Sequence, residues 1–430
     1  MKHPKEMPAL VFADDQGNIV DLPELEPAGM AGGTMCAPQR EDFIELPEGS
    51  ELFVLPERLP VGCDPVTREP LLVAEHPFTP GAPIQAVAAF MAPAHTAIFN
   101  SAYLSKSGAA RLPLFAYSCV GWYDGRFWVT AFRSDPSVRQ DYGQFNPREL
   151  ERKTKKKLAR NRENRLIQHL GKCCLVYGCP AAKNYFLGRW EAPLPTSPQC
   201  NARCVGCISL QESGCCPSTQ DRISFVPHPK EISDMAVPHL EQADKAIVSF
   251  GQGCEGEPLL QAEVMAKAIQ RIRQRTNRGT INLNSNSSLP KAVAKLAEAG
   301  LDSIRVSLNS VREQPYTRYY RPRGYTFNDV KQSIRVMKDS GKFVSLNYFI
   351  LPGFTDCPAE FETLCAFIEE LHPDFIQLRN LNMDPEWYLE TVGHDATTPA
   401  IGIRRWIQQL KKTFPNLGFG YFNPSLDPDC

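Results

Sequence analysis

Through the second half of the chain, short apolar runs alternate with segments whose apolar positions recur every three to four residues. Strand-length runs fall at 191–196, 246–250, 280–284, 303–308, 343–351 and 375–381, and helical spacing fills 259–275, 290–299, 327–340 and 359–371. Buried strands separated by amphipathic helices indicate a parallel sheet with crossover helices. Six such units predict an α/β fold, a partial (β/α)6 barrel, followed by one more helix at 401–414 and a short tail.

The first 185 or so residues have another texture, mixed and rich in strand formers. The clearest signal is Asp124-Gly125 between two aromatic and β-branched runs over 114–132, which predicts a hairpin. Many of the 37 prolines fall within 8–93, so that stretch is expected to be loop-rich. The division this implies is an N-terminal mixed, β-rich domain over 1–147, a connector over 148–189, the barrel over 190–385 and a helix with a tail over 386–430. The connector opens with nine basic and three acidic residues at 148–165, expected to form one charged helix anchored by Leu166, Ile167 and Leu170. A solvated face is the first reading of such a run, and contact with RNA or an acidic partner is the second.

Charge and composition narrow the classes. With 47 basic and 48 acidic side chains there is no global field that selects nucleic acid or a membrane. No apolar run is long enough for a membrane span and none resembles a signal peptide, so the expected location is the cytoplasm and no membrane partner is expected. In that setting fifteen cysteines point to thiols and metal ligands rather than disulfides.

Three of them are spaced for one centre. Cys200, Cys204 and Cys207 follow the first barrel strand directly, at the strand end where βα barrels build active sites. Thiolates are the usual iron–sulfur ligands, and three of them on a four-iron cube leave one iron open for chemistry. Structural zinc would require a fourth ligand, normally in a paired motif, and none is evident at a suitable spacing.

The pattern Cys200-x3-Cys204-x2-Cys207, with Asn201 inside it, resembles the signature of the radical S-adenosylmethionine (SAM) superfamily, especially its molybdenum-cofactor biosynthesis and peptide-maturase members. Downstream, Gly256-Glu257-Pro258 with its flanking glycines resembles that family's Gly-Gly-Glu-Pro motif, although Glu255 replaces the first glycine of the pair. A second departure is Gly206, where the family usually has an aromatic residue. The resemblance implies a [4Fe-4S] cluster on the triad, SAM on its open iron, and reductive cleavage to a 5′-deoxyadenosyl radical that abstracts hydrogen from a substrate. It also implies an electron donor such as flavodoxin or ferredoxin. Cofactor contacts are expected from Gly253, Glu255, Gly256, Glu257, Asn284, Asn286, Ser307, Asn309 and Asn347, the glycine backbone approaching the cofactor closely.

No catalytic side chain stands out in the sequence. The substrate is read as a peptide or protein, with RNA as the alternative, and outside the enzymes the competing class is an iron–sulfur electron carrier or scaffold. Nothing marks a cobalamin module, and a cysteine-rich C-terminal extension is missing, since only Cys430 follows Cys365. A second metal site, an auxiliary iron–sulfur cluster, is expected from Cys174, Cys179 and Cys216, with Cys173 and Cys215 as local substitutes.

Overall fold

The computed structural model describes residues 6–211, 216–395 and 399–426. Cys215 and the tail to Cys430 lie outside them.

The expected barrel is present, with one more strand. Strands β1 (Glu191–Pro193), β2 (Ile247–Phe250), β3 (Thr280–Ser285), β4 (Ser303–Leu308), β5 (Phe343–Ile350), β6 (Phe375–Asn380) and β7 (Gly418–Gly420) pair in sequence order, every neighbour parallel. β1 and β7 do not pair, so the barrel is open. Across the gap the chain after β7 supplies Asn423, whose amide donates to Glu191 Oε1 at 2.9 Å. β1 is shorter than the predicted run because Pro195 has no N–H to continue the ladder, and the amides of Thr196 and Ser197 turn to the carboxylate of Glu255 instead.

The connector holds three helices: α1 (Pro147–Arg160), α2 (Arg165–Leu175) and α3 (Pro180–Leu187). The expected single charged helix is thus two. Asn164 ends the break by capping α2, accepting from the Ile167 amide at 3.1 Å. Around the barrel run α4 (Pro229–Gln242), α5 (Ala262–Arg273), α6 (Pro290–Ala299), α7 (Glu313–Tyr320), α8 (Phe327–Asp339), α9 (Pro358–Leu371), α10 (Pro385–Val392) and α11 (Ile403–Thr413). Their inner stripes explain why they fold against the sheet. On α8, Val330, Ile334 and Met337 recur at helical spacing and are fully buried, each side chain contributing roughly 1.5–3 kcal/mol by leaving water.

The N-terminal region is β-rich, as expected, and its proline-heavy stretch alternates short strands with loops. Ten short strands lie between Ala9 and Phe90. Its main sheet is antiparallel and contains the expected hairpin, Val120–Tyr123 against Arg126–Arg133, turning on Asp124 and Gly125 at φ 49° and 73°. Both positive φ values fit the two-residue turn that Asp-Gly favours. This unit docks on the strand ends of the barrel: Asn380, at the end of β6, accepts from Ala97 N at 2.9 Å and donates to His95 O at 3.0 Å. Beneath that contact Arg58 meets Asp384 at 3.3 Å with the two side chains 3% and 2% exposed. Among the described residues, no helix is long and apolar enough to cross a membrane.

Candidate functional site

The three cysteines sit on a loop whose backbone is pinned from outside. Arg203 N and Val205 N donate to Tyr320 O and Tyr319 O at the end of α7, each at 3.0 Å. Asn201 donates to Ser288 Oγ and accepts from Asn286 Nδ2, both at 2.9 Å, tying the loop to the end of β3. Cys200, Cys204 and Cys207 are all partly exposed and line one cavity. Burial pushes the Cys200 thiol up to about 11, with Glu257 and Cys207 adding to it, and raises Cys204 further with Cys207 and Cys200 beside it. Cys200 and Cys204, held this way, need a cationic centre before they ionise.

Among the described residues, the Sγ atoms of the triad do not all lie within 4.8 Å of one another. A single tetrahedral ion with metal–sulfur bonds of about 2.3 Å draws its thiolates to about 3.8 Å apart. Three thiols around one cavity are the donor type that an iron–sulfur cluster takes.

The loop after β2 brings the next group of residues. At Gly251, φ is 77° and a Cβ would lie 1.7 Å from Asn284 O, so only glycine permits the loop to cross β3 there. Gly256 lines the cavity and is also close-packed against the chain. A Cβ there would meet Gln199 O at 2.0 Å, and Gly256 N donates to Ser197 O at 2.7 Å. Its close approach is to the segment leading into Cys200.

Glu255 and Glu257 are structural anchors of the same loop. Glu255 accepts from Thr196 N, Ser197 N and Gln252 N at 2.7, 2.9 and 2.7 Å. Glu257 accepts from Ser285 Oγ, Asn286 N and Leu259 N at 2.6, 2.9 and 3.0 Å. Burial pushes both carboxyls up to about 7, and the hydrogen bonds from backbone and hydroxyl groups pull them back down. The acidic residue in place of the expected glycine thus fastens the end of β1 to the loop of β2.

The cavity, about 390 Å³, gathers the triad with Gly253, Glu255, Gly256, Glu257, Asn284, Asn286, Ser307 and Asn347. Asn309 is not among its lining residues. Its amide donates to Pro315 O at 3.2 Å and Tyr388 Oη at 3.1 Å, packing it against α7 and α10. Asn347 Oδ1 is buried without a hydrogen-bond partner among the described residues, so it is free to meet a bound donor. At Gly206, Tyr319 of α7 stands close enough that a Cβ there would be 2.9 Å from its hydroxyl.

Two arginines were missed by the sequence reading. Arg305 of β4 and Arg379 of β6 both line the cavity, and each has a buried Nε without a partner. Burial and the neighbouring Arg379 pull the Arg305 guanidinium down to about 9. Arg305 reaches Gln377 at 3.1 Å, and Gln377 continues to Asn423 at 2.8 Å, but among the described residues no ion pair neutralises either arginine. The available signal was the strand period: Arg305 and Ser307 share one face of β4, and so do Gln377 and Arg379 on β6.

The residues proposed for a second trio each take part in a separate contact. Cys174 Sγ lies 3.6 Å from Thr154 Oγ1 on α1, Cys216 lies near Tyr117 of the N-terminal unit, and Cys179 caps α3. The basic segment is also less free than its sequence implies. Lys153 and Lys155 pair with Glu149 and Glu151 at 2.8 and 2.6 Å. Lys157 donates to Tyr185 O at 3.0 Å and its ammonium lies 3.8 Å from the Tyr185 ring centroid.

Residues 194–368 match the family described as the Radical SAM superfamily. A GTP 3′,8-cyclase of Lactiplantibacillus plantarum is 28% identical over 166 residues, which are 38% of this chain and 46% of that protein; the chain thus spans about half the length of this curated relative. Among solved structures, a methylornithine synthase (PylB) is 15% identical, with a TM-score of 0.39 over 66% of this chain and 77% of its own. Streptococcus suis SuiB bound to its precursor peptide SuiA is 13% identical, with a TM-score of 0.39 over 55% and 52% of the two chains.

Proposed function

The chain carries a Radical SAM domain over residues 194–368, and from that premise we propose that it is an enzyme that cleaves SAM reductively and takes hydrogen from a peptide or protein substrate. The observation that carries this reading is the meeting of the triad loop, the 251–258 loop and the polar ends of β3 to β5 around one cavity at one end of the barrel. An electron carrier or scaffold has no use for such a cavity beside its cluster.

Cys200, Cys204 and Cys207 would hold a [4Fe-4S] cluster, which when bound and reduced would supply the electron for the reductive cleavage of SAM. The protein's own residues bind and orient. Asn201 and Asn286 hold the triad loop against β3. Asn347 Oδ1 offers an acceptor to an amino or hydroxyl group, and Ser307 stands beside it in register, on the paired strand. Tyr319 and Phe349, packed edge to face at 5.7 Å, give the cavity an apolar wall that keeps water from a reactive species. Arg305 and Arg379, unneutralised by protein acids, are placed to receive carboxylates from cofactor or substrate.

Two observations favour a polypeptide over RNA. The N-terminal unit is docked at the cavity end of β6 through Asn380, itself a lining residue, which places a large surface at the entrance. The basic segment, by contrast, uses Lys153, Lys155 and Lys157 in contacts within the chain. In this reading the enzyme works in the cytoplasm with a flavodoxin- or ferredoxin-type donor.

The test is anaerobic reconstitution and reduction with SAM. The parent chain should form 5′-deoxyadenosine, and Cys204→Ala should lose both iron and cleavage. Undiminished cleavage in that variant would remove the triad from the chemistry.

A further inference from the structure

A second group of metal-binding side chains lies behind the 251–258 loop. His169 and Cys173 are four residues apart on α2, so they share one face a single turn apart, and His169 Nε2 lies 3.5 Å from Cys173 Sγ. Cys254 enters from the loop after β2. The ligand atoms of the three residues all lie within 4.8 Å of one another.

We propose that His169, Cys173 and Cys254 bind a single zinc-class divalent cation, separate from the Cys200–Cys204–Cys207 centre. The geometry is that of a mononuclear site. Metal bonds of about 2.3 Å to sulfur and about 2.0 Å to nitrogen at tetrahedral angles put the two ligand atoms about 3.5 Å apart, which matches the observed contact between His169 and Cys173. The triad's wider spread distinguishes the two centres. Two thiolates and one imidazole select a borderline-soft ion such as zinc or ferrous iron over magnesium or calcium.

The surroundings suit such a site. Cys173 and Cys254 are 1% and 5% exposed, so an ion held there is shielded from exchange. Phe225 packs edge to face on the His169 ring at 6.3 Å, which limits its rotation. Cys179 is close by, its amide donating to Cys173 O at 3.0 Å, but its thiol is not one of the three converging ligand atoms. The fourth position is left to solvent or another small ligand. Bound there, the ion would join α2 to the loop that carries Glu255 and Gly256, and so brace the loop that supports Cys200.

The experiment uses the full chain with Cys200, Cys204 and Cys207 changed to serine, titrated anaerobically with cobalt(II). Circular dichroism of each variant establishes that it is folded. About one equivalent should bind with thiolate-to-cobalt charge-transfer bands and the intense visible bands of a tetrahedral ion. Adding Cys254→Ser should weaken binding by about 100-fold or more, and His169→Gln should shift the visible bands. The parent protein offers an independent measurement, since elemental analysis should find about one zinc or one iron beyond the cluster, lost in Cys254→Ser, together with faster amide exchange over 251–257. Tetrahedral bands unchanged by Cys254→Ser, no cobalt binding by the folded chain, or a Cys173–Cys254 disulfide in parent protein without the extra ion would each overturn the proposal. Failure of SAM cleavage leaves these readouts untouched, so the two ideas fail separately.

Discussion

At the scale of single residues, the convergence of Cys200, Cys204 and Cys207 on one cavity was legible in their spacing after a strand. The roles of their neighbours were not. Glu255 and Glu257 are read in the sequence as cofactor contacts through their backbone; the structure gives their side chains loop amides and hydroxyls as partners, and partners so distant along the chain leave no local trace. His239 on α4 is another such residue: it is 5% exposed and faces Trp190 O at 3.3 Å, next to the start of β1. Burial pulls its imidazole down to about 4, from 6.5 in the open chain. Between these values the unfolded chain binds the proton that the folded one refuses, so stability is full above pH 6.5 and falls as pH drops toward 4. The loss is on the order of 3 kcal/mol. Thermal melts across that window should show the decline, and His239→Leu should flatten it; an equal slope in the variant would assign the acid sensitivity elsewhere.

Among elements, the barrel strands and most of their helices were legible because buried parallel strands read as apolar runs and their helices keep a strict stripe. What escaped has physical causes. β7 is three residues, Gly-Phe-Gly, too short for a period. α4 contains Pro238, which reads as a break although the helix continues around it. α7 is dominated by tyrosines and charges whose packing partners are other tyrosines, as in the contact of Tyr316 with Tyr320 at 4.6 Å. The 251–258 loop shows how elements share a job, since Gly256 is pressed on the backbone before Cys200. Gly256→Val should therefore displace the triad loop, so that reconstituted iron falls together with SAM affinity. Full iron content with weakened SAM binding would instead mean that the glycine serves the cofactor directly.

For the whole molecule, the N-terminal unit was the least legible part. Its hairpin was plain, but its short strands are set by pairings across the chain and by turns, with prolines at their margins, rather than by long alternating runs. The structure makes it part of the same body as the barrel. Arg58, which also donates to Ala110 O at 2.6 Å, is buried against Asp384, the cap of α10. Removing one member of a buried pair strands the other charge, at a cost of about 3–5 kcal/mol. Arg58→Ala should lower the unfolding midpoint accordingly, and the pair Arg58→Met with Asp384→Asn should recover part of it; a wild-type midpoint in the single variant would show that docking does not depend on this contact. The central claim, that this assembly holds SAM against a cluster on three cysteines, is tested most directly by electron paramagnetic resonance of the reduced, reconstituted chain with and without SAM. The account predicts a reduced four-iron signal that changes when SAM is added and is absent from Cys204→Ala, whereas a signal indifferent to SAM, or one that survives loss of Cys204, would contradict it.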